Sequence, residues 1–146
     1  MAHLTLLQHQ QLKTEINTDP TSQAYALALG NYDALVIKLN NRVLSAGTVA
    51  REPMETQDLI DSINSTEYNS MTTANATKLQ VLFSTARVRI ASNAIQSLLG
   101  TVFPSGGTTL TAFTALKVRP ASRVEVLFGV GTYVDSGDVE IALTQV

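Results

Sequence analysis

Two stretches in the middle of the chain space their apolar residues along one helical face, and no other feature constrains the fold as much. Leu79, Leu82, Phe83 and Ala86 fall at i, i+3, i+4 and i+7, and Ile95, Leu98, Leu99 and Val102 repeat the spacing. Only a helix brings such positions onto one side, so each stretch predicts an amphipathic helix with a buried stripe. The first starts near Thr73. The second starts near Ser92 and is ended by Pro104-Ser105-Gly106-Gly107. Arg87-Val88-Arg89-Ile90 alternates as a strand would, but it is short and is read as a connection.

Helix punctuation continues on both sides of this centre. Leu4 to Asn17, with Leu12 and Ile16 one turn apart, predicts a helix that stops near Thr18-Asp19-Pro20. There Asp19 is placed to cap, and Pro20 to occupy the first position of, a short following helix. Asn31 caps a helix over Tyr32 to Asn40, whose Leu35, Val36 and Leu39 form its apolar side. The run Asn41 to Pro53 contains Gly47 and Pro53 and no sustained period. It reads as a long interior loop, partly extended, and as a candidate contact arm. Thr56 precedes a short helix with Leu59, Ile60 and Ile63 inward, and Ser65 to Tyr68 opens another turn.

Beyond the glycines, Leu110, Phe113, Leu116 and Val118 predict a further helix. Pro120 suits the first turn of the next, which buries Val124, Leu127 and Phe128 and ends at Gly129. Tyr133 and Val134 are candidates for a small ribbon. In the tail, Val139, Ile141 and Leu143 alternate while Asp138 is also a good cap, so a short helix is favoured with an extended segment as the alternative. The resulting expectation is a mainly α, compact single-domain bundle of short helices spanning residues 1–146.

Composition narrows the function. At 146 residues the chain is long enough to bury roughly 70% of the surface its unfolded form exposes. It has no cysteine, which removes disulfides, thiolate zinc sites and cysteine nucleophiles and leaves the redox compartment open. Hydrophobic residues make up 45% but aromatics only 5%, so Leu, Ile, Val and Ala must build the core. A net charge of −2 argues against a DNA binder driven by counterion release. No stretch reaches the roughly 20 apolar residues of a membrane span, and Met1 to Leu12 lacks the layout of an export signal. The expectation is a soluble, unexported protein. Only 15% of residues are charged, which suits a subunit packed among copies of itself.

No grouping of residues predicts catalysis, a cofactor or a metal. His3 and His9, the two histidines, are six apart and off the i, i+4 spacing of a helical metal pair, so both read as solvated or partner-facing. No Gly-x-Ser-x-Gly turn accompanies them. Asp58, Asp61 and Glu67 read as a solvated helix face rather than an acid–base pair. Asp135, Asp138 and Glu140 lack the glutamate that closes a calcium loop. Gly106-Gly107 follows a helix and lacks the lysine of a phosphate loop, so it reads as a terminator. Arg87, Arg89, Lys117, Arg119 and Arg123 are the one basic concentration, without the interleaved aromatics of a nucleic-acid site. Arg123 and Glu125 read as a subunit-interface pair or as solvated charges.

Three passages resemble a family of small proteins encoded among the virion genes of tailed bacteriophages. Leu12-Lys13-Thr14-Glu15-Ile16, Asp19-Pro20, Tyr25, Asp33-Ala34 and Leu39-Asn40 are similar to its opening. Leu59-Ile60-Asp61-Ser62-Ile63 with Thr66-Glu67-Tyr68 is similar to its centre. Ala121-Ser122-Arg123-Val124-Glu125, Leu127-Phe128-Gly129, Asp138-Val139 and Ala142-Leu143 are similar to its end. Ser62 departs from the small apolar residue usual there, and Gly30 to Asp33 lacks the family's common wording. The resemblance implies a non-enzymatic virion protein, foremost a ring-forming head-to-tail connector or neck subunit. Its implied partners are its own copies and portal, neck or tail proteins, with packaged DNA in passing and no membrane or small-molecule substrate. A capsid decoration or tail-tip protein is the alternative, and a small helical nucleic-acid-binding protein a more distant one.

Overall fold

The computed structural model describes residues 4–146. The fold is mainly α, and the chain divides into two compact units: Ala50–Arg119, and the segments on either side of it, up to Val49 and from Pro120 onwards. Among the described residues the elements run α1 (Leu6–Thr18), a 3-10 turn (Tyr25–Ala28), α2 (Tyr32–Asn40), β1 (Val43–Ala50), β2 (Met54–Glu55), α3 (Thr56–Asp61), α4 (Ser65–Asn69) and α5 (Thr73–Leu82). They continue with β3 (Arg87–Val88), α6 (Asn93–Val102), α7 (Thr108–Ala115), β4 (Val118–Ala121), α8 (Arg123–Phe128) and α9 (Ser136–Thr144).

The outer unit packs α1 against α9 and α2 against α8 and α9. Leu12, Ile16, Tyr25, Leu35, Leu39, Val124, Val134, Val139 and Ala142 form its core. Each fully buried leucine or valine there contributes about 1.5–3 kcal/mol relative to exposure. Three of its helices open with reciprocal caps: Thr5 with Gln8 on α1, Ser122 with Glu125 on α8, and Asp135 with Asp138 on α9. Each satisfies two backbone donors that the first turn leaves free.

The inner unit packs α6 against both α5 and α7. Leu59, Leu79, Val88, Ile90, Leu99, Phe103 and Phe113 form its core, in which the Phe113 ring meets Phe83 and Phe103 edge to face at 6.2 and 5.7 Å. Its two chain ends are tied together. The Arg51 amide donates to Lys117 O at 2.9 Å, the Arg51 guanidinium donates to Leu116 O and Val118 O, and Arg119 pairs with Glu52.

Several expectations require correction. The interior loop at 41–53 is mostly strand: β1 pairs with β4, and β2 pairs antiparallel with β3 in the register Met54↔Val88 and Glu55↔Arg87. Backbone pairing created these strands. Half of β1 is exposed and only Ala46 in it is buried, so its sequence carries no sustained alternation to read. Gly47 within β1 sits at φ +128°, and an added Cβ there would lie 3.0 Å from the Val126 side chain. Arg87–Val88 is likewise a strand and not merely a connection. The helix read through Val118 ends at Ala115, and Pro120 belongs to β4, with Ser122 as the cap of α8.

Asp19 does not start a helix at Pro20. It ends α1 in a left-handed conformation, and its carboxylate accepts from the amides of Gln23 and Ala24 at 2.6 and 2.8 Å. The tail is helical, capped by Asp135 rather than Asp138. Tyr133 and Val134 form no ribbon. The Asn40 side chain instead brackets Val134, donating to its carbonyl at 2.8 Å and accepting from its amide at 3.0 Å, as a neighbouring strand would. Leu98 and Ile60, expected inward, are exposed, and Ala86 lies beyond the end of α5.

Candidate functional site

The ionisable side chains of the outer unit are gathered into buried pairs and caps. His9 is buried, which overturns its reading as a solvated residue, and its Nε2 lies 3.1 Å from Asp138 Oδ1. Asp138 is fully buried and also closes the α9 capping box. The pair joins α1 to α9. His3 lies outside the described residues.

A second cluster joins α1, the 3-10 turn, β1 and α8. Arg123 donates to both Glu15 oxygens at 2.7 and 2.9 Å and to the Ala46 carbonyl at 2.9 Å. The Tyr25 hydroxyl donates to Glu15 at 3.2 Å. Glu15 is 3% exposed, so its charge depends on these donors. Burial, reinforced by the Glu15 charge beside it, pushes the Tyr25 phenol above its ordinary range. The hydrogen bond to Glu15 holds the Arg123 guanidinium still more firmly protonated than usual. Arg123 and Glu125 therefore each bond to other residues of the chain. Glu125 is buried, caps α8, and accepts from Arg42 and from the Gly131 amide, both at 3.0 Å.

In the inner unit Glu67 leaves the solvated face predicted for it. Its carboxylate accepts the amides of Thr108 and Thr109 at 2.6 and 2.9 Å, capping α7 from another helix. Gly107 occupies the capping position of α7 and has no side chain to do this; a Cβ there would collide with Glu67. Gly106-Gly107 thus opens α7 as well as following α6. Hydrogen bonding from the Thr109 hydroxyl, and then from the two amides, holds the Glu67 carboxyl below the usual range. Asp58 and Asp61 remain exposed, with Asp61 accepting from Gln57 at 3.1 Å.

The basic residues do not converge. Arg87 pairs with Glu55, Arg119 with Glu52 and Arg123 with Glu15, while Lys117 donates to Asn93. Among the described residues no three His, Asp or Glu side chains gather in a metal-holding group. Asp135 and Asp138 are joined as a helix cap, and Asp58 and Asp61 stay apart from Glu67's carboxylate work. No described helix is long and apolar enough to cross a membrane.

Two of the open surface clefts are largely apolar. In the inner unit a groove of about 480 Å³ is lined by Ile60, Ile63, Tyr68, Leu79 and Phe83 with smaller neighbours. A second cleft, of about 280 Å³, lies between α5 and α6 and is lined by Lys78, Val81, Leu82 and Leu98 with two threonines. The outer unit exposes Leu27, Leu29, Ile37 and Leu44. The Leu98 and Ile60 positions marked these places in the sequence, but the helical period assigned both to the core. The buried charges were partly readable, since Thr5-x-x-Gln8 and Ser122-x-x-Glu125 have the spacing of reciprocal caps. No known protein family, characterised protein or solved structure matches this chain.

Proposed function

We propose that this chain is a structural virion protein of a tailed bacteriophage, a subunit that assembles with its own copies into a closed ring at the head-to-tail joint. The observation that carries the reading is the amount of large aliphatic surface left facing solvent: Leu27 is 87% exposed, Leu44 73% and Ile37 70%. Apolar residues scattered singly are ordinary, but such nearly bare side chains on a chain with few charges favour burial against another protein. The three passages that resemble the virion family support it too. Leu12, Ile16, Tyr25, Leu39, Val124, Val139 and Ala142 from those passages are core residues of the outer unit, and Asp19 and Glu125 are its caps.

In this role the buried ion pairs hold the scaffold, and the exposed aliphatic side chains make the contacts between subunits. Closed rings use heterologous contacts that return on themselves by rotation. Mass spectrometry of purified particles tests the proposal. A ring subunit is present at about six or twelve copies per particle. Absence from particles, together with a strictly monomeric state in solution, refutes the proposal; hundreds of copies assign the chain to the capsid surface instead.

A further inference from the structure

We infer that α4 is a lid: a short turn of helix held down by hydrogen bonds rather than by packing, whose release joins the hollows on its two sides into one depression of the inner unit.

Packing contributes little to α4. It is five residues long, too short to persist as a helix without support, and none of its residues is buried; Tyr68, its large side chain, is 47% exposed. No residue of α4 belongs to the core of the inner unit, whereas Ile63 before it and Met71 after it both pack against that core. The segment between these two anchors is bordered by open space on both sides. Ser65 and Tyr68, at i and i+3, line the groove of about 480 Å³ with Leu79 and Phe83. Thr66, Glu67 and Ser70 line a hollow of about 430 Å³ with Met71, Val102 and Phe103. The turn is therefore a partition, and apolar side chains stand on either side of it.

What fastens α4 is polar and acts at one place. Glu67 accepts the amides of Thr108 and Thr109 and the Thr109 hydroxyl, and Thr109 Oγ1 in turn accepts the Asn64 amide at 2.9 Å. Thr109 is fully buried, so the fixed half of this latch lies in α7 and the moving half on α4. Every one of these bonds runs through Glu67 or Thr109, so they are made and broken together. Gly107 keeps the place clear, because an added Cβ would collide with the Glu67 carboxylate. Release brings the polar groups of the latch and an already half-exposed ring into water while the Leu79, Leu99 and Phe113 core stays closed. Local opening of this kind needs only a few bonds to break, and it is expected well below the free energy of global unfolding.

Native-state hydrogen exchange of the full chain across a urea series tests this. The Tyr68 and Ser70 amides, bonded to Asn64 O and Thr66 O, and the Thr108 amide, bonded to Glu67, are expected to exchange through an opening that hardly depends on urea. The Phe83 and Phe103 amides, bonded to Leu79 O and Leu99 O, are expected to follow the steep dependence of global unfolding. Glu67→Gln weakens the latch from α4, and Gly107→Ala crowds it from α7. Each should speed exchange at Tyr68, Ser70 and Thr108 by about tenfold with the shallow urea slope kept. Each should also raise the fluorescence of added anilinonaphthalene sulfonate while far-UV circular dichroism is retained. A slope as steep at Tyr68 and Ser70 as at Phe103 would mean that α4 opens only with the whole unit, and the lid is overturned. Wild-type exchange rates in both variants refute the latch, and an unchanged dye signal refutes the joining of the two hollows.

Discussion

Replacing Arg123 by methionine removes the guanidinium that donates three hydrogen bonds, two of them to a carboxylate only 3% exposed. Glu15 is left with the Tyr25 hydroxyl at 3.2 Å as its remaining described side-chain donor. Deleting one partner of a buried pair costs about 3–5 kcal/mol, because the other charge stays desolvated without compensation. For a chain of this size that loss lowers the thermal midpoint by roughly 10 °C or more. Replacing both members, as Glu15→Leu with Arg123→Met, removes the stranded charge and leaves the cost of the Tyr25 hydroxyl and the Ala46 carbonyl. Those are neutral groups, each worth about 1–3 kcal/mol if unpaired. The double variant is therefore expected to be at least as stable as Arg123→Met alone, and adding Tyr25→Phe should recover part of what remains. Urea unfolding followed by circular dichroism measures each corner of the cycle. If the two single effects add to within about 0.5 kcal/mol, the residues do not act as a unit and the reasoning fails.

Tyr25→Phe has a second signature. A phenol whose folded pKa is raised contributes stability that is complete below about pH 10 and is lost as pH rises from there towards the folded value. Stability measured from pH 9 to 11.5 should decline less steeply in the variant than in the wild type. Glu67 has the opposite sign: its depressed pKa contributes stability present above the ordinary carboxyl range and lost as pH falls through the folded value. Glu67→Gln should lower the melting temperature at pH 7 and flatten its fall between pH 5 and 3; equal slopes in both proteins would count against the cap. His9→Leu removes one hydrogen bond from the buried Asp138 carboxylate, and a loss of about 1–3 kcal/mol at pH 7 in urea melts is expected.

Sequence periodicity located the helices well where their stripes meet one core. Leu12 and Ile16, Leu35 and Leu39, and Leu79 and Leu99 are all buried as expected. It misplaced Leu98 and Ile60 because spacing reports a shared face and not what covers it, and these side chains border a cleft and a groove open to solvent. The strands were only faintly legible, Arg87 to Ile90 by a short alternation, for a different reason. β2 and β3 are two residues each, and they form because Met54 and Glu55 meet Val88 and Arg87 about thirty positions along the chain. The charged residues were the hardest to place. Glu15 and Arg123 are 108 positions apart, and Glu67 caps a helix 41 positions away, so no local window holds both partners. Ser122 and Glu125 lie within one turn, and there the capping signature was available in the sequence.

The tied ends of the inner unit bear on how the rest of the chain folds. The outer unit's core joins α1 and α2 to α8 and α9 across an interruption of about seventy residues, and closing so long a flexible loop carries an entropic penalty that grows as the logarithm of its length. Once Arg51 and Glu52 have bonded to the stretch from Leu116 to Arg119, the interruption behaves as a tether of a few residues, which reduces that penalty by about 2–3 kcal/mol. The contiguous unit can therefore organise first and act as a clasp, and its unfolding would withdraw the same free energy from helices that it need not touch.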